Sequence, residues 1–327
     1  MQDETRPGIV VPERFIPIPT TISPQAQAFL SHAPPIGMMD LPALDDIAGW
    51  KAYVAGVDQG MAALLGPYET LYPADVIEHR LSAFVLYEIT PHNLAAPDDP
   101  RAILYIHGGG FLLGGGKAAR LVAQHLAHEA GVRTYSIDYR MPPEHPFPAA
   151  LDDCLEAYRW LLARREPRSI ALYGPSAGGN LVPVTLLKAK EMGLPMPAVC
   201  VLHSPASDAT ESGDSYETNH TIDMVLRQRM PQLFALYAGG RDLRDPYLSP
   251  AFAEFTADFP PTLITSGTRD LLLSSSVLLH RAMRRGGVQA ELQLWEAMAH
   301  VPFLGSPEEA ELYQEHIQFI IKRLGAA

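Results

Sequence analysis

Residues 174–178 read Gly174-Pro175-Ser176-Ala177-Gly178, directly after the apolar run 170–173. Gly-x-Ser-x-Gly in that place describes a sharp strand-to-helix turn, which holds the serine in a strained backbone conformation with its Oγ exposed. The turn brings the residues two before and two after the serine together, so a Cβ at Gly174 or Gly178 would crowd it. A chain that must build this elbow needs a buried strand on one side and a helix on the other, and therefore a sheet with helices packed against it.

A second glycine string, His107-Gly108-Gly109-Gly110-Phe111, follows the apolar run Ala102–Ile106. Glycines at the end of a buried strand let backbone N–H groups approach a substrate closely. The two strings together describe a nucleophile, Ser176, and its oxyanion hole, built from the N–H of Ala177 after the serine and those of Gly109 and Gly110. Gly-x-Ser-x-Gly alone is a weak match and a histidine followed by three glycines is far rarer; finding both, each after a strand-like run, makes coincidence a poor account.

The rest of the chain supplies the sheet. From residue 80 onward, short apolar runs at 84–89, 103–106, 134–137, 170–173, 199–202, 263–265 and 292–295 alternate with helical patterns. This is the pattern of an α/β fold with a central, mostly parallel sheet flanked by helices. The alternation breaks between about 208 and 260, where Met224, Leu226, Met230, Leu233, Phe234 and Tyr237 form a short amphipathic segment, read as an insertion. Seven prolines within the first 40 residues predict a stretch that wraps the surface rather than forming a core element. Asp40 and Pro42 then look like a helix start, with Leu44, Ile47, Val54, Val57, Met61 and Leu64 on its apolar face. The expected organisation is a catalytic core of 71–207 and 245–327, with 1–70 and 208–244 as two segments of a helical cap over the carboxyl ends of the strands.

Composition narrows the function. With 47% apolar and 19% charged residues the chain suits a soluble globular enzyme with one core, and a net charge of −12 disfavours a nucleic-acid partner. No apolar signal segment follows residues 1–6 and no stretch of 18 apolar residues occurs, so a cytoplasmic protein without a membrane span is expected. Cys154 and Cys200 read as reduced, buried thiols. Metal-ligand spacings such as His-Glu-x-x-His or Cys-x-x-Cys are missing, and the glycines at 108–110 and 114–116 lack dinucleotide-loop spacing. The reading is therefore of no cofactor and no metal, with a small molecule as partner and a homodimer left open.

A serine hydroxyl is a weak nucleophile and needs a base, which in turn needs a group to orient it. In an elbow of this kind the chain order is Ser, then Asp or Glu, then His. Of the histidines after Ser176, His300 stands in the loop Met298-Ala299-His300-Val301-Pro302-Phe303 beyond the last strand and is the expected base. His280 and His316 lie in helical patterns, and His203 ends a strand as a satisfied polar group. Asp270 follows the strand at 263–265 and its exit turn, and is the expected acid. Its competitor is Asp208, in Ser204-Pro205-Ala206-Ser207-Asp208, which otherwise caps a turn or anchors the insertion. Phe111, Leu112 and Leu113 are expected to wall the substrate site, with plain core packing as the alternative for each.

The strings 107–111 and 174–180, together with Asp138-Tyr139-Arg140-Met141-Pro142-Pro143-Glu144-His145-Pro146-Phe147-Pro148-Ala149-Ala150, Asp270 and His300, resemble the motifs of hormone-sensitive-lipase-like bacterial esterases over about residues 80–325. The resemblance implies an α/β-hydrolase fold with a helical cap that hydrolyses carboxylic esters without a cofactor. It also implies a structural role for 138–150, whose Asp, Arg and prolines would lock a loop near the active site. Pro175 departs from the family, which usually places an acidic residue or Thr before the nucleophile; Pro302, two residues after His300, is also unusual. The expectation is a serine carboxylesterase acting on short- to medium-chain esters through an acyl-enzyme. A lactone hydrolase with the same residues, or a non-catalytic small-ligand-binding protein of the same fold, are the alternatives.

Overall fold

A computed structural model of the chain describes residues 9, 13, 15–32 and 41–325. Eight strands form one sheet in the order β1-β2-β4-β3-β5-β6-β7-β8. They are β1 (Ala74–Arg80), β2 (Val85–Pro91), β3 (Ala102–Ile106), β4 (Arg133–Asp138), β5 (Ile170–Pro175), β6 (Val199–His203), β7 (Thr262–Gly267) and β8 (Ala290–Trp295). β2 pairs antiparallel with both β1 and β4, and every other pairing is parallel. All seven expected strands are present, and β1 is an addition. With Asp75, Glu78, His79 and Arg80 in it, this edge strand has no apolar run to betray it, because an element paired on one side only can leave most of its side chains in water.

The helices are α1 (Pro24–His32), α2 (Ile47–Leu64), α3 (Tyr68–Leu71), α4 (Gly116–Ala130), α5 (Ala149–Leu162), α6 (Ala177–Glu191), α7 (Ser215–Thr218), α8 (Pro231–Ala238), α9 (Leu273–Arg285) and α10 (Pro307–Ile321). β3 shows why they lie on both faces: all five of its residues are buried, and the strand period of two divides them between two cores. Ala102, Leu104 and Ile106 join the cluster with α5, α6 and α9, whereas Ile103 and Tyr105 join Leu126 of α4 and Phe319 and Ile320 of α10. Cys154 and Cys200 are buried free thiols. Among the described residues no helix is long and apolar enough to cross a membrane.

The amino-terminal expectation needs correcting where it can be compared; residues 1–6 and Asp40 lie outside the described residues. The proline-rich stretch contains helix α1, with Pro24 at its first position, where a missing N–H costs nothing. Ser23 Oγ accepts from Ala26 N (3.1 Å) and donates to Glu308 (2.7 Å), while Ile22, Ala26 and Leu30 pack on Ala297, Met298, Phe303 and Leu312. The next helix begins at Ile47, after an Asp46 N-cap that accepts from Gly49 N at 2.8 Å. Its buried anchor is Trp50, packed against Leu112, Met230 and Leu233, and Leu44, Ile47 and Leu64 of the expected face are exposed. The indole fills the gap between two segments distant in sequence, which helical periodicity within one segment does not register.

Candidate active site

The carboxyl ends of β3, β5, β6, β7 and β8 share one edge of the sheet, and each contributes to a single polar centre. At the end of β5, Ser176 has φ 54° and ψ −118°, and α6 begins at the next residue. A Cβ on Gly174 would stand 2.3 Å from the carbonyl oxygen of Gly178, and one on Gly178 would stand 1.9 Å from that of Ile106. The flanking glycines are thus required by backbone contact. The ladder continues past Pro175, since Ser176 N donates to His203 O at 2.8 Å. The proline nitrogen falls toward β3, whose pairing with β5 ends at Tyr105–Tyr173, so its missing N–H leaves the ladder intact.

Below Ser176, His300 Nε2 lies 3.0 Å from the serine Oγ. Its loop rests on the end of β7 because Gly267 has no side chain; a Cβ there would stand 1.9 Å from Met298 O. On the far side of the imidazole, Nδ1 is 3.4 Å from Asp270 Oδ1 and 2.6 Å from Ser204 Oγ. Ser204 Oγ donates to Asp270 Oδ2 at 2.5 Å, and Ser266 Oγ donates to the same oxygen at 2.6 Å. Asp270 Oδ1 accepts from Leu272 N at 2.9 Å. The serine's one proton is committed to the carboxylate, so Nδ1 must carry the proton between His300 and Ser204, which leaves Nε2 with a lone pair aimed at Ser176.

Electrostatics follow from this arrangement. Burial alone would push the His300 imidazole down, but the hydrogen bond and charge of Asp270, and then the charge of Asp223, outweigh it and hold the pKa above its ordinary value. For Asp270 burial acts upward, and His300, Ser204 and Ser266 together hold it below the usual carboxylate range. The expected competitors are otherwise engaged. Asp208 spends its oxygens on the N–H and hydroxyl groups of Thr210 and Ser212, fixing a buried turn between β6 and α7. His203 Nδ1 bonds Thr265 Oγ1 (3.0 Å), His280 belongs to α9, and His316 of α10 lies between Thr265 and Tyr173. Ser204, Ser266 and Asp223 were not anticipated. The signal for Ser204 was its place immediately after a buried strand adjoining the elbow.

The glycine loop after β3 faces the elbow, where a Cβ on Gly108 would stand 3.2 Å from that of Ser176. Gly109 and Gly110 adopt φ 107° and 62°, and Gly109 O accepts from the N–H groups of Leu112 and Leu113. Among the described residues, no hydrogen bond engages the N–H of Gly109, Gly110 or Ala177. The loop is tied down around them: Tyr139 OH donates to His107 O (3.0 Å), Gly114 N to Asp58 Oδ1 (2.7 Å) and Gly116 N to Asp138 Oδ1 (2.8 Å). His107 stacks on Tyr139, and burial lowers its pKa to about 4, which keeps it neutral. Arg140 holds the buried Asp153 through both carboxylate oxygens, so the 138–150 string serves as bracing. Of the three expected wall residues, Phe111 stacks on Tyr237 with ring centres 4.0 Å apart and Leu112 packs under Trp50 and Leu233; both are 1% exposed. They join α2 and α8 to the loop, and Leu113 is the half-buried member of the three.

Residues 103–304 match a family model described as alpha/beta hydrolase fold. Over 208 residues, 63% of this chain and 69% of the relative, the sequence is 35% identical to an acetyl-hydrolase from Streptomyces hygroscopicus. The chain spans about two thirds of the length of the curated relatives it matches. Among solved structures, the fold is similar to that of an esterase with a TM-score of 0.89 and 34% identity, covering 97% of this chain and 99% of that one. It is also similar to an esterase from the bacterial hormone-sensitive lipase family, with a TM-score of 0.77 and 32% identity over 93% and 99% of the two chains.

The elbow's dependence on missing Cβ atoms is open to a stability test. Gly178→Ala forces a methyl group into the Ile106 carbonyl and should cost about 3 kcal/mol or more in urea denaturation. Gly56→Ala, in α2 with nothing within 4 Å, should be neutral or stabilising by up to about 1 kcal/mol. Equal stability of the two variants would contradict the steric account.

Proposed function

The chain belongs to the alpha/beta hydrolase family, within its hormone-sensitive-lipase-like esterases, and on that premise we propose that it is a serine carboxylesterase acting through an acyl-enzyme. The observation that supports this most is the single lone pair at His300 Nε2, 3.0 Å from Ser176 Oγ, with the opposite nitrogen committed to Ser204 and Asp270. Ser176 Oγ attacks the ester carbonyl while Nε2 takes its proton. The imidazolium so formed is stabilised by Asp270, directly and through Ser204. The carbonyl oxygen becomes an oxyanion and is met by the N–H groups of Gly109, Gly110 and Ala177, each such donor typically being worth about 3 to 4 kcal/mol in the transition state. Collapse of the tetrahedral species expels the alcohol, protonated from Nε2. Water then enters, gives a proton to Nε2 and attacks the acyl carbon; collapse returns the proton to Ser176 and releases the acid.

The proposed organisation keeps residues 1–70 and 208–244 as cap segments over a core of 71–207 and 245–327. Within it, α2 and α8 meet through Trp50, Leu112 and Leu233 above the oxyanion loop. A Cβ on Gly110 would stand 3.4 Å from Leu233 Cδ1, so α8 comes down close to the reacting centre. That proximity favours short- to medium-chain acyl groups, with Leu113 as the wall residue left for them.

Wild-type protein should turn over a chromogenic short-chain ester, and Ser176→Ala should be folded and inactive; equal rates would refute the proposal. Lactone opening uses the same steps, so a medium-ring lactone measured beside the linear ester assigns the preferred substrate, with the linear ester expected to be faster. Turnover that rises steadily out to long-chain esters would contradict the chain-length assignment. A second outcome concerns the acid: Asp270→Asn should lower kcat by about 10⁴-fold through the wrong imidazole tautomer, whereas Asp208→Asn should leave catalysis within about tenfold of wild type. The reverse ranking would move the acid to Asp208.

A further inference from the structure

Asp223 lies between α7 and α8, in the insertion, and is fully buried. Its two oxygens accept four backbone N–H groups: Oδ1 from Val225 (2.8 Å) and Leu226 (2.9 Å), and Oδ2 from Leu271 (2.8 Å) and His300 (3.2 Å). The second pair consists of the residue after Asp270 and the base itself. Neighbours in the insertion grip the same loop, with Asn219 Nδ2 donating to Asp270 O (2.9 Å) and Ser215 Oγ to Leu271 O (2.7 Å). Asp223 differs from both in being ionisable and in reaching both loops at once.

We infer that Asp223 is a positioning residue for Asp270 and His300, and the second negative charge that stabilises the imidazolium of His300 during turnover. The inference rests on the serine-hydrolase reading and adds to it a residue from outside the Ser-His-Asp order. Its geometric support is the donor set. Each carboxylate oxygen faces two N–H groups, an arrangement that suits the ionised form and offers a carboxyl proton no acceptor. A fully buried charge needs such compensation, and here part of it comes from the very backbone that carries the base. The clamp also explains how the insertion reports its position to the chemistry, since displacing it would free Leu271 N and His300 N together.

The groups facing His300 from each neighbouring element leave little else to balance its charge. His203, at the end of β6, is held neutral by burial, with its pKa lowered to about 4. Arg269, beside Asp270, turns its guanidinium to Pro17 O, with Glu296 nearby, and Glu308 at the start of α10 is bound to Ser23. The α1 side of the loop is apolar, formed by Ile22, Ala26 and Leu30. Asp270 and Asp223 are the two carboxylates whose charges raise the His300 pKa. Burial and Asp270 in turn push Asp223 upward, against the pull of His300 and of the N–H groups of Leu271 and Leu226.

The test compares pH–rate profiles of kcat/KM for wild type and Asp223→Asn. His300 must be neutral to act as base, so activity falls as pH drops through its pKa. Removing one stabilising charge lowers that pKa, and the acid limb should move to lower pH by about half a unit or more, with the plateau falling about tenfold or more. A plateau that falls while the limb stays in place would mean a structural role alone and would overturn the charge assignment. A wild-type profile would overturn both parts. If Asp223→Asn fails to fold, the His300 pKa is measured by NMR in Asp270→Asn: with Asp223 still charged it should stay within about one unit of the ordinary imidazole value of about 6.5. A fall toward about 4, where burial holds an imidazole such as that of His203, would overturn the proposal. Ester hydrolysis retained in Ser176→Ala would instead refute the serine-hydrolase reading, and is told apart by that variant.

Discussion

The strained turn at Ser176 is the constraint on which the other parts depend. A serine at φ 54° and ψ −118° is uphill by about 1 to 3 kcal/mol, and persists only where the surroundings over-determine it. They do so with backbone. Ser176 N is bound by His203 O, its own carbonyl accepts from Asn180 N and Ala206 N, and Gly178 lies so close to Ile106 that nothing larger than hydrogen fits. Three strands, β3, β5 and β6, are therefore locked in register around one side chain. The consequence is chemical, because the turn lifts Oγ clear of the sheet and leaves the first N–H of α6 free beside it.

Around the turn the site is a buried polar network, which is stabilising only when every member is satisfied. Asp270 meets this condition through Ser204, Ser266, Leu272 N and His300, and Asp223 through four N–H groups. The two carboxylates repel one another, and both charges favour the protonated form of the His300 imidazole. In the proposed mechanism the network is most favourable when His300 holds the proton of Ser176. Segments distant in sequence share in it: Asp58 of α2 holds Gly114 of the glycine loop, and Asp223, between α7 and α8, holds the loops that carry Asp270 and His300.

What could be read in advance was whatever the backbone dictates locally. Gly174, Gly178 and the glycines after His107 are visible because contacts of the main chain forbid other residues, and the fully buried strands because both faces must be apolar. The order of Asp270 and His300 after Ser176 was legible for the same reason, each following a strand at the same edge of the sheet. Contacts between distant segments left no local trace. Ser204 and Asp223 are an ordinary serine and aspartate until folding brings them to His300, and Ile22, Ala26 and Leu30 of α1 have no visible purpose until the loop at 297–303 is laid on them. Phe111 and Leu112 stay open between substrate wall and plain packing for a related reason: apolar residues beside a glycine loop can face either way, and only the folded chain sets Phe111 on the ring of Tyr237 and Leu112 against the indole of Trp50.

Pro175 shows the limit of reading a motif by its commonest member. The position before Ser176 keeps its strand geometry without an N–H, since the ladder on that side has already ended. The central claim, that Ser176 is the nucleophile activated by His300, is tested most directly by labelling the folded protein with a serine-directed fluorophosphonate and mapping the adduct by mass spectrometry. One adduct, on Ser176, formed by wild type and lost in His300→Ala, is the predicted result. An adduct on another serine, or ester hydrolysis that survives stoichiometric labelling, would contradict the account.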